Sequence, residues 1–234
     1  WLIPPSLKPP GQLFRLPPEW IPNPVTWSNY PRAMTQIPFA LYLKNTLYIA
    51  LFNVVASVVS CSLVAYGFAR IPWPGRNFMF LVLVSTLMIP FPVTLIPTFL
   101  IFRDLGWINT PHPLTVPALT GNAFFIFLLR QFYLTIPEEL SSAARIDGAS
   151  PWDVFWKITL PGMMPFILLN LIYTTVDLFT FPTNPILTQV NTSNYGQSSA
   201  LAWIYFAIIF VFLGIVFFLY TRVQKAYDRT SYGV

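Results

Sequence analysis

The chain has 234 residues, of which 55% are hydrophobic, 18% aromatic and only 9% charged, with a mean hydropathy of +0.61 and a formal net charge of +5. Soluble domains carry about 25% charged residues, so the composition excludes an ordinary water-soluble fold and predicts an all-α polytopic membrane protein. The small positive charge bears on membrane orientation and not on nucleic acid, which is not expected as a partner. A single cysteine, Cys61, excludes an internal disulfide, and a single histidine, His112, argues against a histidine-based metal or nucleophilic centre.

Residues 1–38 are rich in Pro and Trp, and so many prolines preclude a continuous helix. They are expected to form an ordered extracytoplasmic arm with aromatic side chains at the membrane interface. The opening WLIPPSLK lacks an initiator Met and a signal-peptide pattern, so a longer protein is expected upstream.

Residues 39–234 read as one transmembrane domain of five spans. The first, about Ala40–Phe68, exceeds the roughly 20 residues a bilayer requires, with Lys44 and Asn45 placed to snorkel outward. A basic turn with Arg70, Pro72, Pro74, Gly75 and Arg76 follows. The second span, about Phe78–Phe102, carries Pro90, Pro92 and Pro97, which predict either a packing kink or a bend bordering a pathway. The third, about Leu114–Leu134, holds Gly121, Asn122 and Arg130; the fourth, about Met163–Phe181, holds Asp177. An uncharged loop leads to the fifth, about Ala200–Tyr220, and to a basic tail.

Counted by side, Arg70, Arg76, Arg130 to Lys157, Arg222, Lys225 and Arg229 fall on one face, with Arg103 on the other. The Pro-rich arm adds Lys8, Arg15 and Arg32 outside. The positive-inside rule places the first group, and hence the C-terminus, in the cytoplasm. Five spans then put the start of the chain outside, and a further span is expected upstream.

Between the third and fourth spans, residues 135–161 form a polar segment, with six charged residues between Pro137 and Pro161. Pro137 suits the first helical turn, and Glu138 and Glu139 favour the positive end of the helix dipole. Leu140, Ala143, Ala144 and Asp147 follow at i, i+3, i+4, i+7, a narrow face that another surface could approach closely. Gly148 is placed to end this helix in the left-handed conformation. Ser150, Pro151 and Asp153 predict a capped second helix, with Trp152, Phe155, Trp156 and Thr159 on one face and Pro161 as its end. Two capped helices on the cytoplasmic side suit either docking of a soluble partner or an interfacial hairpin that pins the spans.

The residues themselves favour docking. IPEELSSAARIDGASPWDVFWKITLP resembles the signature loop of permease subunits of binding-protein-dependent ABC importers: Ala143, Ala144, Gly148, Ile158, Leu160 and Pro161 match the pattern, and Ala144–Ser150 resembles the carbohydrate branch. Asn45–Ala50, Ala65–Arg76, Met88–Pro97 and Ser6–Trp20 are similar to the maltose-type permease of the second kind, so the likeness covers most of the chain. Tyr195–Phe206 instead resembles the partner permease of such transporters. One departure concerns the contact: the glutamate that usually opens the signature is Ser142, with Glu138 or Glu139 as possible substitutes.

The resemblance implies an inner-membrane importer subunit of the bacterial type with no chemistry of its own. Its ATPase-coupling residues would be Glu138, Glu139, Ser142, Ala143, Ala144, Arg145, Asp147, Gly148 and Ala149. Its expected partners are ABC ATPase subunits, which bind the ATP and Mg, a second permease subunit in a heterodimer, and an extracytoplasmic solute-binding protein. No phosphate-binding loop of the G-x-x-x-x-G-K-[ST] type occurs in this chain.

A sugar-like solute is the expected cargo. Asp177, the one acid inside a span, is the leading pathway residue, since ionisable groups in a bilayer usually face a cavity or a partner. Hydration at the outer interface is its alternative. Asn122, Phe125, Tyr173 and Phe181 are further candidates because aromatic faces and amide acceptors suit sugar rings, although lipid contact accounts for most aromatics in such a chain. A carrier or channel powered by ion gradients would usually have several ionisable residues in its spans, and a purely structural subunit would use the polar segment for assembly.

Overall fold

The structure, a computed structural model, describes residues 3–13, 17, 20–182, 184–190 and 195–231, with the backbone alone for 226–231. Every regular element among them is helical, and none is a strand. In a bilayer each backbone N–H and C=O needs an internal partner, and the helix supplies one within the segment. Arg15, residues 183 and 191–194 of the uncharged loop, and the Arg229 side chain lie outside the described residues.

The longer helices are α1 (Phe39–Arg70), α2 (Arg76–Ser85), α3 (Phe91–Asp104), α4 (Ala123–Thr135), α5 (Glu138–Ile146), α6 (Pro151–Gly162), α7 (Met164–Phe179) and α8 (Tyr195–Ser231). Three stretches are long and apolar enough to cross a membrane unaided: Phe39–Arg70, His112–Thr135 and Tyr195–Lys225. Two bent pairs, α2 with α3 and α6 with α7, raise the number to five if each pair is one span. The count of spans is therefore three to five, and the predicted fourth span, about Met163–Phe181, coincides with α7.

The first break is sharper than a proline kink. A 3-10 turn at Thr86–Met88 leads to extended backbone at Ile89 and Pro90, and α2 and α3 meet at 102°. Pro90 provides no N–H, and the residue before a proline is pushed out of the α region. Pro97, by contrast, lies inside α3.

The chain divides into two compact units, residues 1–50 with 175–218, and residues 51–174 with 219–234. In the first, the described residues 3–8 pack on Asn29, whose buried side-chain amide donates to the carbonyls of Ser6 (2.9 Å) and Lys8 (3.1 Å). Ala33, Phe39, Ala50, Phe179, Ile186, Ala200, Leu201 and Tyr205 form its core. The Tyr205 hydroxyl donates to Phe179 O and accepts from Asn184 Nδ2, each at 2.8 Å.

The second unit is built on close approach of α1 and α4. Cys61, Ala65 and Ala69 recur every four residues on α1, which puts small side chains on one face, and all three are buried against Phe125, Ile126, Leu129 and Tyr133 of α4. Small residues suit helix contacts in a bilayer, where packing and not hydrophobicity drives association. The polar links keep parallel register: Asn53 Nδ2 to Leu114 O (2.8 Å), Ser60 Oγ to Ala118 O (3.0 Å) and Arg130 Nε to Phe68 O (3.3 Å). Gly121 permits the turn into α4 at φ +81°, and a Cβ there would stand 3.0 Å from Ile126 Cδ1.

Candidate functional site

The polar segment of the second unit folds into the two capped elements its residues predict. Helix α5 opens after Pro137 with Glu138 and Glu139 in its first turn and Arg145 in its last, so both ends complement the helix dipole. It closes in a Schellman motif: Ala149 N–H donates to Ala144 O (2.9 Å) and Gly148 N–H to Arg145 O (3.1 Å), with Gly148 at φ +87°. Ser150 then caps α6 through a reciprocal capping box with Asp153. The Lys157 ammonium, 2.7 Å from Asp153, and the Ser150 hydroxyl hold the Asp153 carboxyl at about 2.

Two expectations for the second element are corrected. Pro161 does not end it, because the helix continues to Gly162 and breaks at Met163, where α6 and α7 bend by 69°. Proline is tolerated there because it stands in the first turn of the short helix Leu160–Gly162. Trp152, Phe155, Trp156 and Thr159 do not share a face. A π turn over Phe155–Thr159 adds a residue to the helical repeat, so Phe155 and Thr159 are buried while Trp152 and Trp156 are exposed. Phe155 packs edge-on to Tyr66 at 4.8 Å, and Thr159 Oγ1 donates to Val154 O at 3.1 Å.

Of the residues in α5, only Ser141 is buried. Glu138, Glu139, Ser142, Ala143, Arg145, Asp147 and Gly148 are exposed, and Ala144 and Ala149 are half-buried. Leu140 is 53% and Ile146 86% exposed, so a charged helix carries apolar side chains outward. The two leading acids differ. Glu138 is held by Arg70 at 2.5 Å and approached by Arg145 at 4.0 Å, whereas Glu139 has no ion pair among the described residues.

Arg70 is the residue that the sequence did not single out. Its Nε and Nη2 donate to Tyr133 O at 3.0 and 2.6 Å, Nη2 also donates to Ile136 O, and Nη1 pairs with Glu138. The Tyr133 carbonyl would ordinarily receive the N–H of the residue four places on, but that residue is Pro137, which has none. Arg70 supplies the missing donor. An open cleft of about 640 Å³ lies alongside, lined by Arg70, Arg76, Ile136, Glu139 and Arg145 among others.

The pathway candidates are placed less uniformly. Asn122 is the N-cap of α4, its side-chain oxygen accepting from Phe124 N–H at 2.9 Å. Phe125 is buried and meets the exposed Tyr173 edge-on at 5.5 Å. Asp177 and Phe181 belong to the first unit, and both are exposed. Asn170, which carries no distinguishing signal in the sequence, is buried, and its Oδ1 accepts from Thr174 Oγ1 at 3.1 Å. Among the described residues no cluster of His, Cys, Asp or Glu could hold a metal ion.

Residues 58–229 match the family described as the binding-protein-dependent transport system inner membrane component. The sn-glycerol-3-phosphate transport system permease protein UgpE of Yersinia enterocolitica is 36% identical over 156 residues, which is 64% of this chain and 55% of that protein. The arabinooligosaccharides transport system permease protein AraQ of Halalkalibacterium halodurans is 35% identical over 145 residues, 62% of this chain and 52% of that one. The chain spans about half the length of the curated relatives it matches. Its fold is that of a chain in the crystal structure of a bacterial ABC transporter involved in the import of the acidic polysaccharide alginate. The TM-score is 0.75 at 21% identity, covering 96% of this chain and 88% of that one.

Proposed function

Because the chain belongs to the family of binding-protein-dependent transport system inner membrane components, we propose that it is a permease subunit of an ATP-driven importer of sugars or related polyhydroxylated solutes. It catalyses no reaction itself. ATP and Mg are bound by separate ABC ATPase subunits, a second permease subunit completes the pathway, and an extracytoplasmic binding protein delivers the solute. The segment 135–161 and the C-terminus face the cytoplasm, in keeping with the distribution of Lys and Arg.

The observation that carries this reading is the outward face of α5. A short helix fixed at both ends by Pro137 and the Gly148 motif presents Leu140, Ala143, Ile146 and Asp147 to its surroundings. Exposed apolar side chains on a polar projection mark a docking surface. Small side chains at Ala143 and Gly148 let a groove on the ATPase close on the backbone. Ser142 leaves the usual contact acid absent, and Glu138 is occupied by Arg70, so Glu139 offers the unpaired carboxylate to a basic residue of the ATPase. Closure of the ATPase pair on ATP then moves α5 as a lever.

The substrate class rests on the relatives, whose names cover a polyol phosphate and arabinooligosaccharides. Tyr173 with Phe125, and separately Asn122, Asp177 and Phe181, are the proposed pathway residues. The docking is tested with Ala143→Cys in a Cys61→Ser background, using a short bifunctional thiol reagent on the assembled transporter. A cross-link to the ATPase is expected from position 143 and not from Leu95→Cys on the exposed side of α3. Equal yields at both positions, or none at 143, would refute the assignment.

A further inference from the structure

The geometry points to Arg70 as a positioning residue that latches the coupling helix to the end of α1; this rests on the reading of α5 as the ATPase-docking element. Three observations carry it. First, the Arg70 side chain is 11% exposed and its guanidinium spans three acceptors on three successive pieces of chain: Tyr133 O in α4, Ile136 O in the linker and Glu138 in α5. A planar fork can serve several acceptors at fixed angles, which a lysine ammonium on a flexible stem cannot reproduce. Second, one of those acceptors exists because of the linker's own sequence, since Pro137 leaves Tyr133 O without its helical donor. The proline that starts α5 thereby creates the need that Arg70 meets.

Third, the arrangement is reciprocal. Helices α1 and α4 run parallel and end together, and each lends an arginine to the other's C-terminal carbonyls: Arg70 from α1, and Arg130 from α4 to Phe68 O. Positive charge at paired C-termini opposes both helix dipoles. Arg130 is steadied over the Phe80 ring at 4.0 Å. Glu138 joins the set between Arg70 and Arg145, so the first and last turns of α5 are referred to the same anchor. Movement of α5 is thereby transmitted to α1 directly, and not only through the covalent linker Ile136–Pro137.

The test compares Arg70→Gln, Arg70→Lys and Glu138→Gln in the full-length transporter reconstituted with its ATPase and binding protein. The coupling ratio, solute imported per ATP hydrolysed, should fall about tenfold for Arg70→Gln, which loses the charge-assisted bonds to all three acceptors. Arg70→Lys should recover part of that loss. Glu138→Gln, which keeps both carbonyl contacts, should lose about two- to threefold. Copurification of the ATPase should be unchanged, which separates positioning from folding. In parallel, hydrogen exchange on peptides covering residues 133–147 should quicken in Arg70→Gln while peptides from residues 51–65 stay as in the wild type.

Unchanged exchange together with an unchanged coupling ratio would overturn the latch. So would a Glu138→Gln loss larger than that of Arg70→Gln, since Glu138 would then be the ATPase contact itself. If exchange quickens but wild-type uptake proves independent of ATP, the latch stands and the coupling reading of α5 falls.

Discussion

Gly148 isolates the energetic role of the helix closure. Apart from the two flanking residues, no atom lies within 4 Å of the place a Cβ would occupy, yet the residue sits at φ +87°. A side chain there would meet no steric obstacle, so the cost of substitution is purely conformational. For an alanine the left-handed region costs about 1–2 kcal/mol, which is about a 5- to 30-fold shift toward opening of the turn. Asparagine should cost less, because its side chain hydrogen-bonds locally in that region. Gly148→Pro fixes φ near −65° and deletes the N–H that donates to Arg145 O, so the motif cannot form. Hydrogen exchange on peptides spanning 138–150, read beside the coupling ratio, should give the order Gly, Asn, Ala, Pro from slowest to fastest exchange. Uptake per ATP should fall in the same order, with Gly148→Pro uncoupled or unable to assemble with the ATPase. Alanine and asparagine variants that both behave as wild type would refute the argument.

Other outcomes follow from single contacts. Ser150→Ala removes the cap hydroxyl that accepts from Asp153 N–H at 3.1 Å and should cost about 1 kcal/mol of local stability, seen as faster exchange confined to residues 150–156. Asp153 has a lowered pKa, so its contribution is complete above the ordinary carboxylate value and is lost as pH falls toward about 2. The mobility of a spin label at position 152 should therefore stay flat from about pH 8 to pH 5; a change within that window would show that the ion pair with Lys157 is not formed. Gly121→Ala combines a positive φ with a 3.0 Å approach to Ile126 Cδ1 and should cost about 2–3 kcal/mol, lowering the unfolding temperature of the purified protein. Cys61→Leu forces bulk into the zero-exposure contact between α1 and α4 and should destabilise by about 1–3 kcal/mol, whereas Cys61→Ala should be milder.

The apolar spans were legible because a membrane helix must satisfy its backbone over about 20 residues, which leaves a long run in the sequence. The polar segment was legible for a different reason: its signals are local. Pro137, Gly148 and the Ser150–Asp153 box each act within four residues; Gly148 and the box are found as expected, whereas Pro137 stands at the N-cap, one place before the first turn it was expected to occupy. The π turn at Phe155–Thr159 was not legible, since one added residue in a helical repeat leaves no compositional mark and turns Phe155 inward. The sharpness of the Pro90 bend was hidden similarly, because proline announces a break and not its angle. Arg70 was read as part of a basic turn because its acceptors lie 63 to 68 residues away. The missing N–H of Pro137 was a usable signal, yet it names an orphaned carbonyl and not the donor. Asn122 suits solute contact by residue type, but its place after Gly121 and before an apolar helix equally fits the cap it forms.

ATP-driven uptake tests the central claim most directly. The full-length protein, with its second permease subunit and ATPase in proteoliposomes and the binding protein outside, should accumulate a labelled sugar or polyol phosphate only when ATP is enclosed with the ATPase. Removal of either the ATPase or the binding protein should abolish uptake. Uptake that persists without the ATPase, driven by an ion gradient alone, would contradict the account.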